Sequence, residues 1–363
     1  LTTAELEGPP SPTDVVEAPE RGGAAASSDT SWKQVLARYS RPSVAGSIWQ
    51  IVNSILPYVA LWGLMIWSLG VSYWLTLGLA VLAAGFLIRI FIIFHDCGHG
   101  SFFRSRRANR TFEFIGGVLT FTPYRQWRRE HAMHHAASGD LDRRGGGDVW
   151  TLTIDEYYAS PRWKRVLYRI FRHPVVLLAI APVFLFMLWN RVPSSWTGKE
   201  EHRGAHMTNL ALLAIVAVAW ATIGIKAYLL IQVPIMVFAG AAGVWLFYMQ
   251  HNFDGSYWRW SDEWDFVQAS LQGSSFYKLP KVLQWFTGNI GFHHIHHLSP
   301  TIANYNLEKC FKEHPAFYEV EPVTLVRSLR ALTCRVWDDQ AKKFVGFRRA
   351  AEIAASRGII GQF

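Results

Sequence analysis

The chain has 363 residues, half of them apolar and only 17% charged, with 17 tryptophans and a net charge of +9. A soluble domain carries about 25% charged residues, so the composition argues against a water-exposed globule and for a membrane protein. The positive balance suits anionic lipid heads or an acidic protein partner, and no nucleic-acid-binding motif accompanies it.

In chain order, residues 1–30 are rich in Pro, Ala, Gly, Ser and Glu and are expected to form a disordered tail. The main domain is expected at 31–349, with a C-terminal tail at 350–363. Two apolar runs come first, Ile48–Leu69 and Val71–Phe94. At 1.5 Å per residue the first reaches about 33 Å, enough for a bilayer core. The uncharged link between them predicts a tight hairpin, with Trp49, Trp67 and Trp74 near its ends as an aromatic belt.

The stretch that follows is basic: Arg104, Arg106, Arg107, Arg110, Arg125, Arg128, Arg129, Arg143 and Arg144. The positive-inside rule assigns it to the cytoplasm. Phe112–Tyr124 is apolar but too short to span, and is expected to dip into the interface. Pro174–Trp189 holds two prolines and lies between basic segments, so it reads as in-plane or re-entrant. Met207–Ile225 and Ala227–Gln250 read as a second transmembrane hairpin. The expected fold is an all-α integral membrane protein. It has four transmembrane helices as two hairpins, in-plane or re-entrant helices, and a cytoplasmic helical cap.

Histidines cluster where these runs end. His95 and His99 are four apart, which puts both on one helical face. His131, His134 and His135 stand at i, i+3 and i+4, and His293, His296 and His297 repeat that spacing. His251 ends the last apolar run. One tetrahedral zinc takes four ligands, so nine such histidines point to two metals. Imidazole suits Zn, Cu, Fe and Ni. The placement beside an oily bundle selects among them, because chemistry on an unactivated hydrocarbon needs an oxidant and zinc has no redox chemistry. Iron with O₂ is the expected choice.

Metal-bound histidines usually donate their second N–H to a carboxylate or carbonyl. Asp96, Asp140 and Asp148 are the leading candidates, with Glu130, Asp142, Asp262 and Asp265 also near. His294 breaks the face of its cluster and reads as a neighbour. His173, His202, His206 and His314 lack ligand spacing and read as surface residues. Cys97, Cys310 and Cys334 show no paired spacing, and Cys97 reads as a small buried filler. Gly145–Gly147 reads as a flexible turn.

These motifs resemble the membrane fatty acid desaturases, whose histidine boxes are HxxxH, HxxHH and HxxHH. HDCGHGSFF (95–103), HHAASGDLDRRGGGDVWTLT (134–153), WLFYMQHNFDG (245–255) and FYKLPKVLQWFTGNIGFHHIHHLSP (276–300) resemble the bacterial acyl-lipid delta-12/omega-6 branch. The resemblance implies a non-haem di-iron centre ligated by histidine alone, with His251 as the additional ligand and O₂ as co-substrate. It implies a fatty acyl lipid substrate, a bacterial inner membrane and an active site facing the cytoplasm. His293 stands where front-end desaturases carry Gln, and no HPGG haem motif is present. Electrons are then expected from a separate donor, ferredoxin in bacteria. Two other readings use the same residues. A fatty acyl or carotenoid hydroxylase or ketolase would share the scaffold. A metal transporter would hold its ligands near the bilayer midplane on broken helices, whereas here they lie beyond helix ends.

Overall fold

The computed structural model describes residues 32–145 and 147–359. The tail expected at 1–30, Gly146 of the glycine turn and residues 360–363 lie outside them.

Among the described residues, four helices are long and apolar enough to cross a membrane. The first, α1, is Val44–Ser68; Ser43 caps it by accepting from the Gly46 N–H. After 69–72 the chain turns into α2, Tyr73–His99, which stops where Gly100 takes a left-handed conformation that a side chain would oppose. Both helices are apolar nearly all round, as a helix between lipid and protein must be. Their outward faces stay exposed, including Trp49, Trp67 and Trp74, the last at 82% exposure.

Two shorter helices follow: α3, Arg106–Leu119, capped by Ser105, and α4, Tyr124–Ala137, started by Pro123. Next come α5, Ile154–Ala159, closed by a Thr153/Glu156 capping box, and α6, Arg162–Phe171. The segment read as Pro174–Trp189 forms π-helical turns at Val176–Ile180 and Phe184–Leu188, on either side of Pro182. Proline lacks the N–H of a regular helical bond, and wider turns absorb the defect. This segment makes a 64° bend with α6.

The remaining long helices are α7, Lys199–Thr222, and α8, Ile225–His251. Helix α7 starts well before the apolar run at Met207, because its polar first turns pack on α4 through Glu200–Arg125 and Glu201–Arg129 ion pairs. A core of Met65, Leu87, Ile90, Ile231, Ile235 and Met236 locks α1, α2 and α8 together.

Beyond α8 lie short helices: α9, Phe266–Gln272; α10, Lys281–Phe286; α11, His293–Leu298; α12, Asn304–Glu313; and α13, Phe347–Ser356. The expectation of an all-α chain needs one correction, since the fold is mostly helical. Strands β1, Phe276–Lys278, and β2, Pro322–Thr324, pair in parallel. Strands β3, Val336–Asp338, and β4, Lys343–Val345, pair antiparallel. Aromatic and β-branched residues in these short runs favour the extended form. Part of the tail expected from 350 lies in α13, whose Ala350 and Ala354 are buried.

Arg172, just past α6, is fully buried. It donates to Trp150 O at 2.7 Å, Thr151 Oγ1 at 2.7 Å, the Tyr248 hydroxyl at 3.2 Å and Asn252 Oδ1 at 3.1 Å. The arginine thus ties the chain after α4 to the end of α8, on both sides of His251. Arg172→Met strips buried acceptors of their donor and is expected to cost ~3 kcal/mol or more of stability. The cost should appear as a lowered unfolding midpoint of the detergent-solubilised chain. A midpoint within experimental error of the parent would show that water or neighbours replace the guanidinium.

Candidate metal centre

Four helix ends build the site. His95 and His99 occupy the last turns of α2, and His131, His134 and His135 those of α4. His251 ends α8, and α11 carries His293, His296 and His297. A helix C-terminus bears a partial negative charge, so the ends of α2, α4 and α8 favour a cation between them.

The nine histidines converge in two groups. His95, His99, His131, His135 and His296 form one; His134, His251, His293 and His297 form the other. Within each, the ligand atoms lie within 4.8 Å of one another. The HxxHH boxes divide between the groups. His131 and His135, one turn apart, serve the first group while His134 serves the second. In α11 the division reverses, with His293 and His297 in the second group and His296 in the first.

The proton positions follow from fixed acceptors. His134 Nδ1 lies 2.6 Å from Asp148 Oδ1, and His95 Nδ1 lies 2.9 Å from Asp96 Oδ1. His251 Nδ1 lies 3.3 Å from the carbonyl of Gly273, which can only accept. Each of these Nδ1 atoms therefore carries a proton, and in the neutral ring each Nε2 presents a lone pair. Yet His134 Nε2 and His251 Nε2 stand 3.1 Å apart, with His293 Nε2 3.0 Å from His251 Nε2. In the first group His95 and His131 approach Nε2 to Nε2 at 2.9 Å, and His135 and His296 at 3.1 Å. His134 and His251 thus face each other with two lone pairs, which repel unless a cation sits between them. Burial, and then the neighbouring imidazoles, hold His131, His135, His293, His296 and His297 well below the usual histidine pKa. They stay neutral at pH 7 and free to bind a metal. The donor set fits a cation in each group.

The carboxylates sort themselves by contact. Asp96 and Asp148 touch histidines, and Asp96 Oδ2 also accepts from Asn304 N at 2.6 Å and Asn304 Nδ2 at 2.8 Å. Asp140 departs from expectation. Its carboxylate is occupied by Arg143 Nε at 2.6 Å and Ser261 Oγ at 2.9 Å, because the turn after α4 folds it onto that loop. Asp142 accepts from Ser261 N and Asp265 caps α9. Glu130 accepts from Gln126 Nε2.

His294 is buried in neither group, among Phe276, Phe311 and Phe317. His173 and His206 are exposed; His202 meets Ser194 O and His314 meets Arg38. Cys97 is buried and free. Residues that the sequence reading missed also support the site. Trp127 stacks on His131 with centroids 4.4 Å apart, and a Cβ at Gly98 would fall 2.9 Å from its ring. The Ser138 hydroxyl lies 3.2 Å from His251 Nδ1. The four-residue spacing of Trp127 and His131 was a legible signal; the reach of Asn304 to Asp96 was not.

Loss of one ligand from either group, as His99→Ala or His134→Ala, is expected to lower bound metal from about two ions per chain to about one. Asp148→Asn should weaken metal retention roughly 10–100-fold, while Asp140→Asn should leave it intact. Elemental analysis of purified protein checks each variant. Equal effects of the two aspartate changes would remove the distinction drawn between them.

The family model "Fatty acid desaturase" matches residues 72–327. The chain is 47% identical to a fatty acid desaturase of Bacillus subtilis (strain 168), over 89% of this chain and 92% of the relative. It is 26% identical to a Picosynechococcus protein named sn-1 oleoyl-lipid 12-desaturase, over 79% of this chain and 82% of that one. It is also 26% identical to a Synechocystis protein named sn-1 acyl-lipid omega-3 desaturase (ferredoxin), over 61% and 62%. With its paired histidine groups at the ends of membrane-type helices, the chain belongs to the fatty acid desaturase family and is an oxidoreductase.

Proposed function

We propose that this protein inserts a cis double bond into a fatty acyl lipid, using O₂ and two irons held by the nine histidines. The observation that carries the reading is the convergence of those histidines beside apolar helices that can reach a lipid chain. Iron bound there supplies the oxidation that removing hydrogen from an unactivated hydrocarbon requires. Two hydrogens leave the chain, two electrons and two protons enter, and O₂ becomes two waters.

The chain's own residues keep the centre in order. Asp96 and Asp148 fix the rings of His95 and His134. Burial of His134, His251, His293, His296 and His297 keeps bulk water from these five rings, which protects an oxidising centre from side reactions. A bent apolar path between the helices would set which carbons approach it.

The proposed arrangement has α1–α2 and α7–α8 as two hairpins and the bent segment after α6 as re-entrant. A cap formed by α4, α9 and α11 faces the cytoplasm of a bacterial inner membrane. The arginines at 104, 106, 107 and 110 follow directly on His99 and support that side by the positive-inside rule. Their charge suits an acidic ferredoxin as separate electron donor, and the name of the Synechocystis relative points the same way. The position proposed is delta-12 (omega-6), supported by the Picosynechococcus relative and by a chloroplastic omega-6 desaturase of Glycine max at 28% identity. A hydroxylase on the same scaffold is the second reading, since the ligands would serve both outcomes.

Expression in a host that lacks polyunsaturated lipids is expected to yield a new diene with its added bond at delta-12. Gas chromatography–mass spectrometry of derivatised fatty acids reads it, and His131→Ala should lack it. A new bond elsewhere would correct the position alone. A hydroxylated chain would replace desaturation by the second reading.

A further inference from the structure

The first turns of α7 carry charge of both signs, sorted by face. Glu200 and Glu201 turn toward α4 and pair with Arg125 and Arg129. Gly204 continues that face; a Cβ there would fall 3.0 Å from the Cβ of Arg125, so the two helices meet closely.

The opposite face frames a groove of about 440 Å³ lined by Lys199, His202, Arg203, His206, Met207 and Leu210. The spacing is i, i+3, i+4, i+7, i+8 and i+11, a single helical stripe about 16 Å long. No carboxylate lines it. Lys199, Arg203 and His206 are exposed and make no ion pair or hydrogen bond among the described residues. His202 alone is engaged, its Nε2 lying 3.1 Å from Ser194 O. Below the cations the stripe turns apolar and stays exposed, with Leu210 at 68% and Leu213 at 64%.

We propose that this stripe binds an anionic phospholipid of the surrounding bilayer. Its phosphate would lie against Lys199 and Arg203, and its acyl chain would run down over Met207, Leu210 and Leu213. Three observations fix the class of ligand. The cations have been separated from the acids of their own turns, so their field is uncompensated at the groove. The cationic part leads directly into lipid-facing apolar surface, which an amphiphile matches and a free anion does not. The stripe lies on the membrane-spanning helix that reads as entering the bilayer at this end, where Lys and Arg meet lipid phosphates. The face of α7 clamped to α4 is the other one, so a lipid seated here would brace the helix that holds His131, His134 and His135 without touching the metal centre.

The test uses the full chain in detergent micelles supplied with dioleoyl phosphatidylglycerol or dioleoyl phosphatidylcholine, with retained lipid counted by native mass spectrometry. Phosphatidylglycerol should be kept in preference to phosphatidylcholine. The double variant Lys199→Gln/Arg203→Gln should weaken that retention about 30-fold, from ~1 kcal/mol for each lost charge. Lys199→Arg/Arg203→Lys should restore it. Inorganic phosphate should not displace the lipid. Equal retention of the two lipids by the unmodified chain would overturn the proposal, whether or not the Gln variant folds. So would unchanged retention in a folded Gln variant, or displacement by phosphate alone, which would make the stripe a free-anion site.

Discussion

Imidazole lone pairs held face to face are the constraint on which the rest of this structure depends. His134 and His251 each carry their proton on Nδ1, because Asp148 and the Gly273 carbonyl accept it there. Their Nε2 atoms then meet at 3.1 Å with no proton between them. Protonating both rings is a poor remedy, since it would set two positive charges side by side across that 3.1 Å gap. Water is a poor remedy too, since its two O–H bonds diverge too widely to point at nitrogens only 3.1 Å apart. A cation answers both, and among the four helix ends that meet here the C-termini of α2, α4 and α8 add their own negative partial charge.

The bundle exists, in this view, to bring those four ends to one place. Helix α2 packs on α1, α3 and α8 and has more buried residues than any other described helix. A polar relay passes through it. Gln50 of α1 donates to Asn304 Oδ1 at 2.8 Å, Asn304 donates to Asp96, and Asp96 holds His95. Buried hydrogen bonds of this kind are costly to leave half made, so the orientation of His95 is coupled to the seating of both α1 and α12. Arg172 does the same work for His251 by bonding Tyr248 and Asn252 on either side of it.

Local features were legible in the sequence and long-range ones were not. The apolar runs near Ile48, Val71, Met207 and Ala227 announced four long helices, because lipid imposes a length and a composition that no loop satisfies. The i, i+3, i+4 spacing announced shared faces for the histidines. Asp148 and Asp140 looked equivalent, since both stand near α4 in sequence. Only the path of the loop separates them: Asp148 returns to His134, while Asp140 is taken up by Arg143 and Ser261. The small sheets were hidden for the same reason. Strand β1 finds its partner at Pro322–Thr324, a pairing that no local pattern encodes.

The division of the boxes explains the outlying histidine. An HxxxH box places two rings one turn apart and can serve a single group, and α2 gives both His95 and His99 to the first. An HxxHH box places its middle ring to the side of the other two, so it serves both groups at once. Helix α4 favours the first group and α11 favours the second. That arithmetic fills the first group with five rings and leaves the second short, with His134, His293 and His297 only. The fourth ring of the second group comes from an element that carries no box. The end of α8 is the helix terminus that reaches the second group, and His251 is its last residue. A histidine isolated in the sequence thus completes, in space, a group that the three boxes leave with three rings.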